Sequence, residues 1–131
     1  MDHTSHMHPT HIPTKLASFS DLWSPKLVAA LNGQEVKLAR LSGPFVWHAH
    51  PEADELFYVL EGSFRMELRD ASGSERAVTL SVGDMLVVPR GVEHRPVADA
   101  GPCAVMLFEP AGIVNTGNAP PGELTNPAEW I

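Results

Sequence analysis

Residues 47–55 read Trp-His-Ala-His-Pro-Glu-Ala-Asp-Glu (WHAHPEADE): two histidines one residue apart, a proline, then a run rich in acids. The stretch interrupts an otherwise apolar region, so it is either a polar loop or one half of a metal site. On a strand, residues two apart share a face and lie about 6.6 Å apart, so His48 and His50 project the same way. Two imidazoles at that spacing can converge on one metal about 2.1 Å from each ring nitrogen. Pro51 ends the strand because it has no N–H for a ladder. The chain then returns with Glu55 at the head of ELFYVLE. There Glu55 shares parity with Phe57 and Val59, and an acid on a core face is costly unless it is paired or coordinates a cation. Glu52 and Asp54 read as solvated loop acids.

The sequence around this stretch is built of short strand-like runs. KLVAAL and EVKLARL flank Asn32-Gly33, a dipeptide suited to a tight hairpin turn with φ > 0 at both central residues. Further runs cover 44–50, 55–61, 63–69, 76–81, 84–89, 94–98 and 103–109, punctuated by Gly62, Ser72-Gly73, Gly83, Gly91 and Gly101-Pro102. Many short strands with frequent Gly/Pro turns predict an all-β sandwich or barrel. The one helix expected is a turn at Ser20–Trp23, with Ser20 as its cap. Residues 1–14 hold four histidines without apolar periodicity and are expected to be a disordered arm. The barrel is expected over 15–110. The Pro-, Gly- and Asn-rich tail, 111–131, should lie extended across the barrel or a partner subunit, because its terminal Trp130-Ile131 is apolar.

Composition narrows the function. The chain has 131 residues, 44% of them hydrophobic and 19% charged, which suits one folded domain. Nine basic residues against 16 acidic ones leave a net charge of −7, unfavourable for nucleic acid or anionic lipid. No apolar run approaches the roughly 20 residues of a membrane-spanning helix, and the N-terminus lacks the pattern of a secretory signal. Cys103 is the one cysteine, so no intrachain disulfide can form, and a cytoplasmic location is expected. Cys103 lies in an apolar strand and reads as a core residue. No phosphate-binding glycine loop or nucleophile elbow is present.

Downstream, GDMLVVPRGVEH turns at Gly83-Asp84, stops at Pro89, turns again at Gly91 and opens a strand with His94. Together the two segments resemble the paired motifs of the cupins. Gly43, His48, His50, Glu55 and Gly62 match the first motif, and Gly83, Pro89, Gly91 and His94 match the second. The resemblance covers 43–98 and implies a double-stranded β-helix, a small jelly-roll barrel. It also implies that His48, His50, Glu55 and His94 hold a divalent metal inside. Two departures stand out: four residues rather than five separate Gly43 from His48, and Ala98 stands where the family often has an asparagine. The tail FEPAGIVNTG is further similar to small cupins described as mannose-6-phosphate isomerase-like. No Lys/Arg cluster suited to a sugar phosphate accompanies it.

Three imidazoles and a carboxylate suit iron, manganese, nickel, copper or zinc. The expected lining is apolar, from Phe57, Val59 and some of Phe64, Met66, Met85, Val87, Met106 and Phe108, and suits a small organic molecule. Arg65, Arg69, Arg90 and Arg95 are candidate anchors for an anion, although strand arginines generally face water. The expected function is that of a metal-dependent enzyme, an isomerase, lyase or dioxygenase, acting on a small oxygenated metabolite. The alternative is a non-catalytic cupin that binds a metal or small ligand. The residues that would carry catalysis are left open. A homodimer is expected, because jelly rolls leave strand edges to be covered.

Overall fold

The computed structural model describes residues 7–131. One helix, α1 (Ile12–Ala17), precedes eight strands: β1 (Lys26–Leu31), β2 (Gln34–Pro44), β3 (Glu55–Glu61), β4 (Ser63–Arg69), β5 (Glu75–Ser81), β6 (Met85–Val88), β7 (Glu93–Pro110) and β8 (Glu129–Trp130). The fold is an all-β jelly-roll barrel. Asn32 and Gly33 both adopt positive φ, 53° and 75°, and close the expected hairpin with Leu31 opposite Gln34.

β7 is the spine. Its first half pairs with β4, from Glu93 opposite Arg69 to Val97 opposite Arg65. Its second half lies between β2 and β3, with Val105 opposite both Ala39 and Val59. The sequence reading expects two strands separated by Gly101-Pro102. They are instead the two halves of one 18-residue strand, bent where Gly101 takes φ 106°. Glycine lets the backbone turn there without ending the ladder.

Two further expectations are corrected. Of the strand expected over 44–50, Pro44 ends β2, residues 45–50 form no regular strand, and His48 makes one isolated bridge to His94. Pro44 and Pro51 lack N–H groups at either end, and His48, Ala49 and His50 are all buried in succession. A half-buried strand, which alternates between faces, could not do this. The helix forms at Ile12–Ala17 and not at Ser20–Trp23. Pro13 sits in its first turn, where the missing N–H costs nothing. Six residues cannot hold a helix by propensity alone, so packing holds it. Leu16 and Ile12 join Val28, Leu38, Ala104 and Ile131 in an apolar cluster outside the barrel wall. The expected disordered arm therefore falls partly on this helix, and its residues 1–6 lie outside the described residues. Leu22 bridges Arg40 instead, and Trp23, at φ 55°, stacks on Phe45 with ring centroids 4.5 Å apart.

The tail returns over its own barrel. Asn115 Nδ2 donates to the carbonyls of Trp23 and Leu124, Asn126 Nδ2 also donates to Trp23, and β8 pairs in parallel with β1. Inside the barrel, Phe57, Val59, Phe64, Met66, Leu80 and Val105 form the main core.

The turn from β3 to β4 is a single glycine, Gly62, at φ 72°. A Cβ there would run into the Pro102 carbonyl oxygen and come within 3.2 Å of the Cys103 Cα, both of them backbone. Gly73 has a similar φ, 85°, but open space around it. Gly62→Ala should therefore cost about 2–3 kcal/mol, and Gly73→Ala about 1 kcal/mol from backbone strain alone. Urea unfolding of both variants checks this, and equal losses would show that the turn yields to the added methyl.

Candidate metal centre

Glu55 opens β3 on the face it shares with Phe57 and Val59, all three buried. His94, second residue of β7, lies opposite Leu68 of β4. His48 joins it through two backbone hydrogen bonds, from His48 N to His94 O at 3.1 Å and from His94 N to His48 O at 2.8 Å. The turn at 89–92 is held against the other motif, since Gly91 N donates to His50 O and Arg90 donates to Asp54 through both backbone and side chain. Asp54 is thus the exposed loop acid expected, with Arg90 as partner. Glu52 is exposed beside it.

One ligand atom from each of His48, His50, Glu55 and His94 lies within 4.8 Å of all the others, and all four residues are buried. The hydrogen bonds around them decide what faces inward. His48 Nδ1 is 3.0 Å from the Val46 carbonyl, and His94 Nδ1 is 2.9 Å from the Val92 carbonyl. A carbonyl can only accept, so each Nδ1 carries a proton and Nε2 is the ring atom left to face the cluster. This arrangement is the one that orients metal-binding histidines. His50 Nε2 and His94 Nε2 each stand 3.4 Å from Glu55 Oε1, and these three buried atoms have no hydrogen-bond partner. Burial, and next the charge of His94, lower the His48 pKa to about 4, so this ring stays neutral at ordinary pH. At Glu55 burial is the largest influence and pushes upward. Contacts with His50, His94 and Glu109 outweigh it and hold the carboxyl well below its usual range. The cluster is a set of electron-pair donors with nothing to donate to, and a divalent cation fits it.

Beside the cluster lies a cavity that the sequence reading describes only in part. Its walls include Trp23, Phe45, Phe57, Val105, Leu107 and Ile113, together with His48 and Glu55. Of the expected lining, Phe57 is in place. Val59, Phe64 and Met66 are buried in the core without lining the cavity. Met85 and Val87 point outward, 64% and 48% exposed, because β6 buries Val88 and packs Leu86 against the core. Met106 and Phe108 also have the wrong parity, since Val105 and Leu107 take the inward face of β7. None of the four candidate arginines lines the cavity. Arg65 and Arg95 pair with Glu67, Arg69 with Glu93, and Arg90 with Asp54. Cys103 is buried, and burial with the nearby Glu61 charge pushes its thiol up to about 11, which leaves it unreactive.

Two charged cavity residues escape the sequence reading altogether. Lys37 Nζ donates to Glu109 Oε1 at 2.8 Å, and both side chains are almost wholly buried. Burial, and next the charge of Glu55, push the Glu109 carboxyl up to about 9, with Lys37 opposing. The signal that could have found them is parity. Lys37 alternates with Ala39 and Leu41, and Glu109 with Leu107 and Val105, the same test that marks Glu55. The tail residues Asn115 and Asn126 also line the cavity, and no sequence pattern pointed to them.

Comparison with known proteins bears on the family and the fold. A solved cupin-2 domain protein from Shewanella frigidimarina superposes with a TM-score of 0.71 at 39% identity, covering 77% of this chain and 93% of that one. The uncharacterised protein YdbB of Bacillus subtilis is 41% identical over 68 residues, 52% of this chain and 57% of its own length. The acireductone dioxygenase of Yarrowia lipolytica is 33% identical over 66 residues, half of this chain and 38% of its own length. The chain thus spans about half the length of the curated relatives it matches. Residues 30–109 match the family described as the cupin domain, which takes in the histidine cluster and all but the ends of the barrel, and the chain belongs to that family.

Proposed function

We propose that His48, His50, Glu55 and His94 hold one divalent transition metal, and that the protein is an enzyme acting on a small oxygenated organic molecule in the adjoining cavity. The observation that carries this reading is the set of three buried polar atoms without a hydrogen-bond partner, His50 Nε2, His94 Nε2 and Glu55 Oε1, turned toward one another. Left without a cation, such atoms lose solvation and gain no hydrogen bond. When bound, a metal would act as a Lewis acid on an oxygen of the substrate, the requirement shared by isomerase, lyase and dioxygenase chemistry.

The chain's own residues account for the rest. Val46 and Val92 carbonyls hold two imidazoles in the tautomer that presents Nε2. Trp23, Phe45 and Phe57 supply apolar walls that exclude water, and the tail closes over them through Asn115 and Asn126. The kinship with an acireductone dioxygenase supports oxygen-dependent chemistry as the first to test. A binding protein without turnover would keep the metal and the ligand but consume nothing, so dioxygen uptake with small enediols and 2-oxo acids separates the two.

Metal content by mass spectrometry, on protein purified without chelator or nickel resin, should give about one metal per chain. Losing the outer partner of a metal ligand costs about 10–100-fold in affinity, and loss of the ligand itself in His94→Ala should cost at least as much. Unchanged metal content in that variant would assign the ion to another site, such as the histidines of residues 1–14.

Acid should release the metal, because protons compete for the same lone pairs. A lowered histidine pKa delays that competition, since the proton is taken up only as the pH falls to the lowered value. His48, lowered to about 4 without metal, should resist protonation to a lower pH than an ordinary histidine. Titration of metal affinity from pH 7 to pH 3.5 tests this, and an affinity that does not fall over that range would argue against histidine ligands.

A further inference from the structure

β2 and β7 each place one charged residue on the face that lines the barrel. Lys37 is 1% exposed and Glu109 3%, and both line the cavity shared with His48 and Glu55. Stability does not explain the pair. Taking an ammonium and a carboxyl group out of water is expensive, and apolar replacements of similar volume are often as stable or more so. The ammonium has three donors. Glu109 Oε1, at 2.8 Å, and Glu35 Oε1, at 3.5 Å, account for two of them. Glu55, Asn115 and Asn126 line the same cavity, yet the ammonium makes no further hydrogen bond or ion pair among the described residues.

Size and charge then restrict what can enter. The volume open to the centre of a water molecule is about 40 Å³, room for about three waters. A guest of that size is comparable to a three-carbon acid. The cavity presents the histidine cluster, which calls for oxygen donors if it carries a cation, and also a buried ammonium, which calls for an anion.

We infer that Lys37 is the anion-recognising residue of this cavity, held in place by Glu109, and that the ligand is a small carboxylate with a second oxygen beside it, of the 2-oxo acid class. This rests on the metal-centre reading for the role of the second oxygen and on Lys37 for that of the carboxylate. The two requirements can fail separately.

Pyruvate and its neutral amide, pyruvamide, have nearly the same shape and differ in charge. Calorimetric titration of the full chain with each, in manganese-loaded and in chelator-stripped protein, should show pyruvate binding about tenfold or more tighter than pyruvamide. Lys37→Met should abolish that preference. Because it strands Glu109, the double variant K37M/E109Q, which leaves neither charge behind, provides the same reading if the single variant does not fold. The expected result is a preference reduced to about twofold or less while manganese content stays at the wild-type level. A preference that survives in the double variant, or its absence from the wild type with and without manganese, overturns the Lys37 assignment. Failure of the wild type to take up manganese would instead overturn the metal centre, and the stripped protein would still report on Lys37.

Discussion

One backbone pairing holds the candidate centre together. His48 and His94, 46 positions apart in the sequence, exchange two hydrogen bonds across an isolated bridge. The bridge continues the alignment of β2 with β7, in which Pro44 stands opposite Val97 and Phe45 N donates to Pro96 O. The bridge brings the His48 and His94 rings to 4.2 Å between centroids, and Gly91 N on His50 O ties the turn before β7 to the same segment. Once these contacts form, Glu55 needs only to stand at the head of β3, whose position is fixed by its pairing with β6 and β7.

The barrel interior is unusual in how much polarity it buries. His48, His50, Glu55, His94, Lys37 and Glu109 are all nearly inaccessible. Buried ionisable groups weaken a fold unless each finds a partner. Here they form a graded chain, from the ammonium of Lys37 through Glu109 and Glu55 to the imidazoles. The apolar layer beneath, with Val59, Met66 and Val105 fully buried, supplies the hydrophobic stabilisation that lets one end of the barrel be given over to chemistry. The second apolar cluster, under α1 and Ile131, adds to this from outside the wall.

Much of this was legible in the order of residues. The Asn32-Gly33 turn and the all-β class follow from local rules, namely which residues accept positive φ and how strands alternate, whereas the grouping of His94 with His48, His50 and Glu55 came from the resemblance to the paired cupin motifs. The acidic residue on an apolar face at Glu55 was visible from strand alternation. Lys37 and Glu109 obey that rule too, but they lie in strands whose pairing partner is 72 positions away, so neither has an evident counterpart when read alone. On β6 the rule is ambiguous, because Met85, Leu86, Val87 and Val88 are apolar on both faces and parity cannot tell inside from outside.

The sequence by itself determined the kind of fold, because turn conformation and strand alternation are properties of neighbouring residues, and its two motifs named the candidate donors. The tertiary structure decided the rest. It made 45–50 an irregular segment bridged to His94, joined two expected strands into β7, seated α1 where packing rewarded it, and drew the tail over the cavity. Each of those outcomes depends on contacts between segments far apart in the chain, whose free energy exists only once both are in place.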